Sequence, residues 1–346
     1  MKFLIAGLGS IGRRHLRNLL ALGERDILLY RTHHSSLPDD ELVGFPVETD
    51  LERALANQPD VVIVSNPTAL HLQVAIPAAR LGCHLLMEKP VSHSPEGIAE
   101  LRAAVQESGS RVLVGYQFRF HPGLQKAVGL LRSGAIGRPL SARAHWGEYL
   151  PGWHPWEDYR QGYSALSDLG GGAILTLSHP LDYLRWLLGD VQSVWAFDGK
   201  QGELGLNVED CAEIGLQFGQ GVLATVHLDY NQRPFEHYLE IIGTQGTLRW
   251  DGNDNSVSVF KTQRETQNPG NVGTWQTFPI QETFGEVKPF ERNDLFHAEM
   301  RHMIQVIQGS SQPICTLEDG IQALRIALAA QQSARDGILV DPKKIE

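Results

Sequence analysis

Short apolar runs alternate with helical patterns through the first third of this chain, and that rhythm leaves few folds open. Residues 2–6 (KFLIA), 26–31 (DILLYR), 60–67 (DVVIVSNP), 83–88 and 111–116 (RVLVGY) are brief and apolar. Between them, the segment after Gly7 places Ile11, Leu16, Leu19, Leu20 and Leu22 at helical spacing, and 50–57, 69–81 and 94–108 also read as helices. A strand such as 60–67, apolar without alternation, fits a parallel sheet covered on both faces. The βαβα order therefore predicts an α/β Rossmann-type, doubly wound parallel sheet.

The first strand runs into Gly7-Leu8-Gly9-Ser10-Ile11-Gly12, a G-x-G-x-x-G. By itself this is a turn between strand and helix. Following a strand and opening a helix, it has the context of a dinucleotide-binding loop. Gly7 permits the tight turn, Gly9 lets the backbone approach a pyrophosphate, and Gly12 lets helix and strand close up. The N–H groups around Ser10 and Ile11 then face the anion from a helix N-terminus. The second strand ends Leu29-Tyr30-Arg31-Thr32-His33-His34, with no acid for a ribose 2′-hydroxyl. Arg31 suits the 2′-phosphate of NADP over NAD, unless it is solvated or stacks on adenine without selecting.

After about residue 120 the rhythm changes. A helix is expected at 122–133, a glycine-rich section at 162–172 leads into one at 173–188, and strands follow at 191–197, 211–218, 221–230, 237–243, 246–251 and 256–261. Two amphipathic segments, 291–308 and 317–335, close the chain. The reading is a dinucleotide-binding domain over 1–120 and an α+β domain over 121–346, the latter built on a large, mostly antiparallel open sheet for substrate binding and oligomerisation. An open apolar sheet face needs a cover, so a homodimer or homotetramer through that sheet is expected.

The 346 residues carry a net charge of -10 and no basic block, which disfavours nucleic acid or an anionic membrane as partner. Cys83, Cys211 and Cys315 are odd in number and far apart, implying a reducing compartment without disulfides. The N-terminal apolar run breaks at glycines too early for a signal peptide, and no stretch approaches ~20 apolar residues. A soluble cytoplasmic protein is the expectation. His33-His34 and the other histidines show no metal spacing, so no metal is expected.

Chemistry concentrates at the strands' carboxyl ends, where open α/β sheets bind ligands. Glu88-Lys89-Pro90 ends one such strand. Lys89 can polarise a carbonyl or share a hydroxyl proton, Glu88 can hold the lysine or contact the cofactor ribose, and Pro90 stiffens the loop. The plain alternative is a surface ion pair. His179 can exchange the hydroxyl proton, with Asp182 at i+3 on the same helix face; the alternative is a core histidine beside Pro180. Gln117, Arg119 and His121 leave the last strand towards the cleft, where Arg119 would bind a carboxylate or phosphate or else make a domain-interface ion pair. Trp153, His154, Trp156, Asp158, Tyr159 and Arg160 mix rings and polar groups as sugar pockets do, or form a packed loop.

Taken together, the Gly7–Gly12 loop, the Ser65-Asn66-Pro67-Thr68 turn with His71, Glu88-Lys89-Pro90, and Gly170-Gly171-Gly172 followed by His179-Pro180-Leu181-Asp182 resemble the Gfo/Idh/MocA oxidoreductase family, in order and spacing across essentially the whole chain. The resemblance implies a cis bond before Pro90. It also implies cofactor contacts from Ser65, Asn66, Pro67, His71, Glu88 and Lys89. Lys89 and His179 would act at the reacting carbon, with Gln117, Arg119, Trp153, Tyr163 and Thr176 on the substrate side. GYQFRFHP at 115–122 and WHPWEDYRQGYSA at 153–165 resemble members acting on sugars or sugar derivatives. An NAD(P)-dependent oxidoreductase for a secondary hydroxyl or ketone of a sugar, cyclitol or sugar nucleotide follows. One departure stands out: many members carry an aspartate one turn before the histidine, where this chain has Leu175-Thr176-Leu177-Ser178. Thr176, Asp168 or Tyr163 could substitute. Alternatively, the enzyme cycles a retained cofactor as a lyase, glycosidase or epimerase, or the chain is a non-catalytic dinucleotide-binding regulator.

Overall fold

The computed structural model describes residues 1–32, 37–155, 157–262, 273–279, 282–283, 286–287 and 290–345. The first lobe contains β1 (Phe3–Ala6), α1 (Ser10–Ala21), β2 (Ile27–Tyr30), β3 (Val47–Glu48), α2 (Leu51–Ala56), β4 (Val61–Val64), α3 (His71–Arg80), β5 (His84–Met87), α4 (Ile98–Ser108) and β6 (Val112–Val114). The six strands are parallel in the order β3-β2-β1-β4-β5-β6. Chain direction across the sheet reverses between β1 and β4, and the loops after both strands open at that point. β1 and β4 are buried at every position, as their unbroken apolar sequence requires.

The second lobe adds α5 (Pro122–Arg132), β7 (Pro139–Gly147), α6 (Ala173–Thr176), α7 (His179–Leu188), β8 (Val191–Gly199), β9 (Cys211–Phe218), β10 (Leu223–Asp229), β11 (Glu236–Gly243), β12 (Gly246–Asp251), β13 (Ser256–Thr262), β14 (Gly273–Pro279), α8 (Arg292–Ile307) and α9 (Leu317–Asp336). Eight strands run β14-β13-β12-β11-β7-β10-β9-β8. Only the β7–β10 pair is parallel. β7, at the centre, was not anticipated: its buried face is Ala142, Ala144 and Trp146, too weakly apolar to stand out against Arg143 and His145.

The single helix expected over 173–188 is two. Pro180 has no N–H to return to the Thr176 carbonyl, and its ring crowds that carbonyl, so the helix breaks there. α6 ends at Thr176, Leu177 and Ser178 turn the chain, and α7 restarts at His179.

The last two helices return to the first lobe. Asn293 donates to Asn18 at 3.0 Å, setting α8 against α1. A Cβ on Gly320 of α9 would meet Val114 and Val91 at 2.8 Å, so only glycine allows this approach to β6. Between the lobes, Arg119 donates to both oxygens of Asp182 at 2.7–3.2 Å and to the Ile314 carbonyl at 2.7 Å, with Asp319 3.4 Å away. Both partners are about 2% exposed. Arg119 is therefore the interface ion pair and not a free cleft cation, and Asp182 serves this pair and not His179.

Alternate residues of β7–β13 pack against the helices, while the other face of the sheet is open. It presents Trp195, Phe197, Leu223 and Tyr238, which are 41%, 62%, 57% and 37% exposed. Apolar rings in such numbers on one sheet face are expected to be covered by a second copy of the chain. Sedimentation at micromolar concentration should show a dimer or tetramer, and Phe197→Lys should shift it towards the monomer; a monomeric wild type would contradict this.

Candidate active site

The phosphate loop has the shape that its glycines permit. Gly7 has φ 96°, and a Cβ there would meet Asn66 N at 2.4 Å; a Cβ on Gly12 would meet the Gly7 carbonyl at 1.9 Å. Gly9 has open space where a Cβ would stand. It is the N-cap of α1, with no side chain capping the helix and no acid in the first turn, so the N–H groups of Ser10 and Ile11 meet no competing anion. This cradle fits a dinucleotide pyrophosphate.

Ser65 Oγ donates to the Ala6 and Gly7 carbonyls at 3.1 and 2.9 Å, tying the loop after β4 to the glycine loop. Asn66 Nδ2 donates to the Leu70 carbonyl at 2.9 Å, and Pro67 leads the next turn. His71 was expected at the cofactor. Its Nδ1 and Nε2 instead face the Pro90 and Asn66 carbonyls at 2.9 and 3.0 Å. It braces the 66–71 turn against the 88–90 loop, and burial holds it neutral with its pKa down at about 4.

The Lys89–Pro90 peptide is cis. Glu88 accepts from His15 Nε2 at 2.8 Å and from the Lys89 backbone N–H at 3.3 Å. Lys89 crosses the cleft: its Nζ donates to the Thr176 carbonyl at 2.7 Å, the group freed by Pro180. His179 follows three residues on, near enough for the lysine charge to act on its ring. It is 1% exposed, its Nδ1 has no hydrogen-bond partner, and it makes no side-chain hydrogen bond among the described residues. Burial foremost, then Lys89 and His237, hold it neutral far below the usual histidine range.

Among the described residues, no acid bonds to His179 in place of the missing aspartate. Trp146 stacks on the His179 ring at 5.3 Å, with Phe118 at 4.9 Å and Tyr116 at 5.4 Å edge-on. His237 stacks behind Trp146 at 4.4 Å. An aromatic box thus positions this histidine. Asp168 is exposed on a 3-10 turn and Tyr163 begins another, neither bonded to His179. A buried acid unnoticed in the sequence is Glu209. It accepts from Ile174 N at 3.1 Å, at the far end of α6 from Lys89, and burial raises its pKa to about 7.

The softer candidates divide. Gln117 is buried with an unpaired Oε1, and Trp153 packs edge-on against Tyr230 at 5.6 Å with Nε1 unpaired. His121 does not enter the cleft. Its Nδ1 accepts from Gly123 N, so Nε2 carries the proton that reaches Asn255 Oδ1 at 3.1 Å. Asp158 accepts from Arg160 N, Arg160 lies over the Tyr159 ring, and Tyr159 donates to the Leu204 carbonyl, so these three make a packed loop. His154 is half-buried with its pKa lowered; Trp156, His33 and His34 lie outside the described residues. Arg31 donates to Asp39 Oδ1 at 2.5 Å, with its Nε unpaired. Two further cations were missed. Arg14 packs on Phe296 at 4.5 Å, and Arg292 acts on Arg14, Glu148, His154 and His179; among the described residues neither forms an ion pair. Only the return of α8 to α1 brings them together. Among the described residues no helix is long and apolar enough to cross a membrane.

The neutral state of His71 has a thermodynamic consequence. An unfolded histidine takes up a proton below its usual 6.5, whereas the folded one waits until about 4, so falling pH favours unfolding over that interval. His71→Asn should flatten the stability–pH profile there by about 1.4 kcal/mol per pH unit relative to wild type. Parallel profiles in denaturant titrations would contradict the assignment.

Two family models match: the NAD-binding Rossmann fold of an oxidoreductase family over residues 1–116, and the C-terminal alpha/beta domain of the same family over 128–341. A 1,5-anhydro-D-fructose reductase from Ensifer adhaerens is 30% identical over 294 residues, covering 82% of this chain and 80% of the relative. A 2,7-anhydro-N-acetylneuraminate hydratase from Mediterraneibacter gnavus is 27% identical over 314 residues, covering 83% and 82%. A levoglucosan dehydrogenase solved in complex with NADH superposes with a TM-score of 0.85 at 20% identity, over 99% of this chain and 98% of the other. With both of its lobes matched in order, the chain belongs to the Gfo/Idh/MocA family and is an NAD(P)-dependent oxidoreductase.

Proposed function

We propose that this enzyme oxidises a secondary hydroxyl, or reduces the matching ketone, on a sugar, cyclitol or sugar nucleotide, with Lys89 and His179 as its catalytic residues. The observation that carries the reading is the meeting of Lys89 Nζ with the Thr176 carbonyl at 2.7 Å, three residues from a buried, neutral His179. The cofactor would lie along the Gly7–Gly12 loop and the turn at Ser65, Asn66 and Pro67, with Glu88 beside it. Bound there, the nicotinamide supplies or accepts the hydride. The Lys89 ammonium has further N–H donors to hold the substrate oxygen and to favour charge developing on it. A neutral imidazole at His179 takes the hydroxyl proton on oxidation and returns it on reduction. Gln117, Trp153, Tyr163 and Thr176 line the substrate side. Arg14 and Arg292, neither in an ion pair among the described residues, favour substrates bearing a carboxylate or phosphate.

Lys89→Ala and His179→Ala should each lower turnover by roughly a hundredfold or more while leaving cofactor affinity near wild type. The test follows reduced cofactor and sugar products together, over neutral sugars, uronic acids and sugar nucleotides. Unchanged turnover in either variant would refute the site. A second reading, retained cofactor with no net redox change, draws on the missing acid and on the relative named a hydratase, since adding water to a substrate is not a redox reaction. Product without accumulated reduced cofactor would select it, and binding without turnover would leave the regulator.

The sequence favoured NADP through Arg31. Its pairing with Asp39 argues for NAD(H), because a 2′-phosphate would have to displace a carboxylate already neutralising the guanidinium. NADH should bind more tightly than NADPH, and Asp39→Asn should narrow the gap. Tighter NADPH binding by wild type would overturn this preference.

A further inference from the structure

Glu299 on α8 is 0% exposed, and neither of its carboxylate oxygens has a hydrogen-bond partner. It faces His15 of α1 and Glu88 at the end of β5, with one polar atom from each of the three within 4.8 Å of the others. The contacts around the two acids are unequal. Glu88 has the His15 ring at 2.8 Å and the Lys89 N–H at 3.3 Å, with the Lys89 and Arg14 charges beyond. Glu299 has Glu88 and the His15 ring within 4.8 Å and the Cys315 thiol nearby, yet makes no hydrogen bond among the described residues. Two carboxylates this close, out of water, do not both ionise without a cation between them.

We propose that Glu299 is a positioning residue that works as a neutral carboxylic acid, holding the proton of a buried His15–Glu88–Glu299 cluster and leaving Glu88 as the single anion that anchors the Lys89 loop. Burial resists ionisation of Glu88, yet His15 and Lys89 hold it below the usual carboxylate range. Burial and the Glu88 charge push Glu299 well above that range. The lobe that carries His179 thereby fixes the loop that carries Lys89 from behind, as α6 does in front. This inference rests on the catalytic reading of Lys89, so its test must not depend on turnover.

The test uses the full chain with NADH as probe. Infrared difference spectra near neutral pH should show a protonated-carboxyl band in wild type that Glu299→Gln lacks; an unchanged band would overturn the proposal. Glu299→Gln, a neutral donor of the same shape, should keep the NADH dissociation constant within about twofold, whereas Glu299→Leu should weaken it roughly tenfold. Equal weakening in both variants, each folded by circular dichroism, would mean that a carboxylate is required and would overturn the proposal; so would no weakening in Glu299→Leu. A stoichiometric divalent metal in the purified protein would also overturn it, because a cation in the cluster would leave Glu299 ionised. Should Glu299→Leu not fold, the infrared comparison still decides.

Discussion

The site depends on one hydrogen bond that exists because a proline withholds another. Pro180 cannot donate to the Thr176 carbonyl, and the carbonyl left free accepts from Lys89 Nζ at 2.7 Å. The same break places His179 at the first position of α7, at the edge of the cleft instead of midway along a long helix. One residue thus sets the lysine's partner and the histidine's position. An orphaned carbonyl buried between lobes would otherwise cost about 1–3 kcal/mol.

That bond is held in register by the buried Arg119–Asp182 pair. Moving two charges out of water is expensive, and the cost is met only when the geometry is tight. Here Asp182 receives three short donations, while the Ile314 carbonyl and Asp319 complete the guanidinium's surroundings. Asp182 lies one turn from His179, so fixing it fixes the histidine. The aromatic box of Tyr116, Phe118 and Trp146 then sets the plane of the ring, and the low dielectric keeps it neutral. With no aspartate one turn before it, the His179 ring is oriented by packing.

The comparison of sequence with structure follows contact range. The alternation in residues 1–116 is local, so its helices and strands could be read directly; the two-residue β3 was too short to register. The error over 173–188 lay within reach, since Pro180 is visible, but amphipathic spacing outweighed it. β7 was hidden because small alanines face the core at the centre of the sheet. Arg119 and His121 were assigned to the cleft because they leave a rim strand, yet each had a partner more than 60 residues away, Asp182 and Asn255 respectively. Glu209, Arg14, Arg292 and Glu299 carried no local signal.

By itself the sequence determined the parallel sheet, the glycine cradle and the presence of a lysine and a histidine suited to proton transfer. These rest on backbone sterics, periodic burial and side-chain chemistry, which act over a few residues. Tertiary structure decided which groups face one another: that Lys89 spends a donor on Thr176, that Arg31 meets Asp39, that Arg119 is an internal tie, and that Glu88 shares a dry cluster with Glu299. Electrostatics in a low dielectric depends on distances and on excluded water, and only the packed chain sets both.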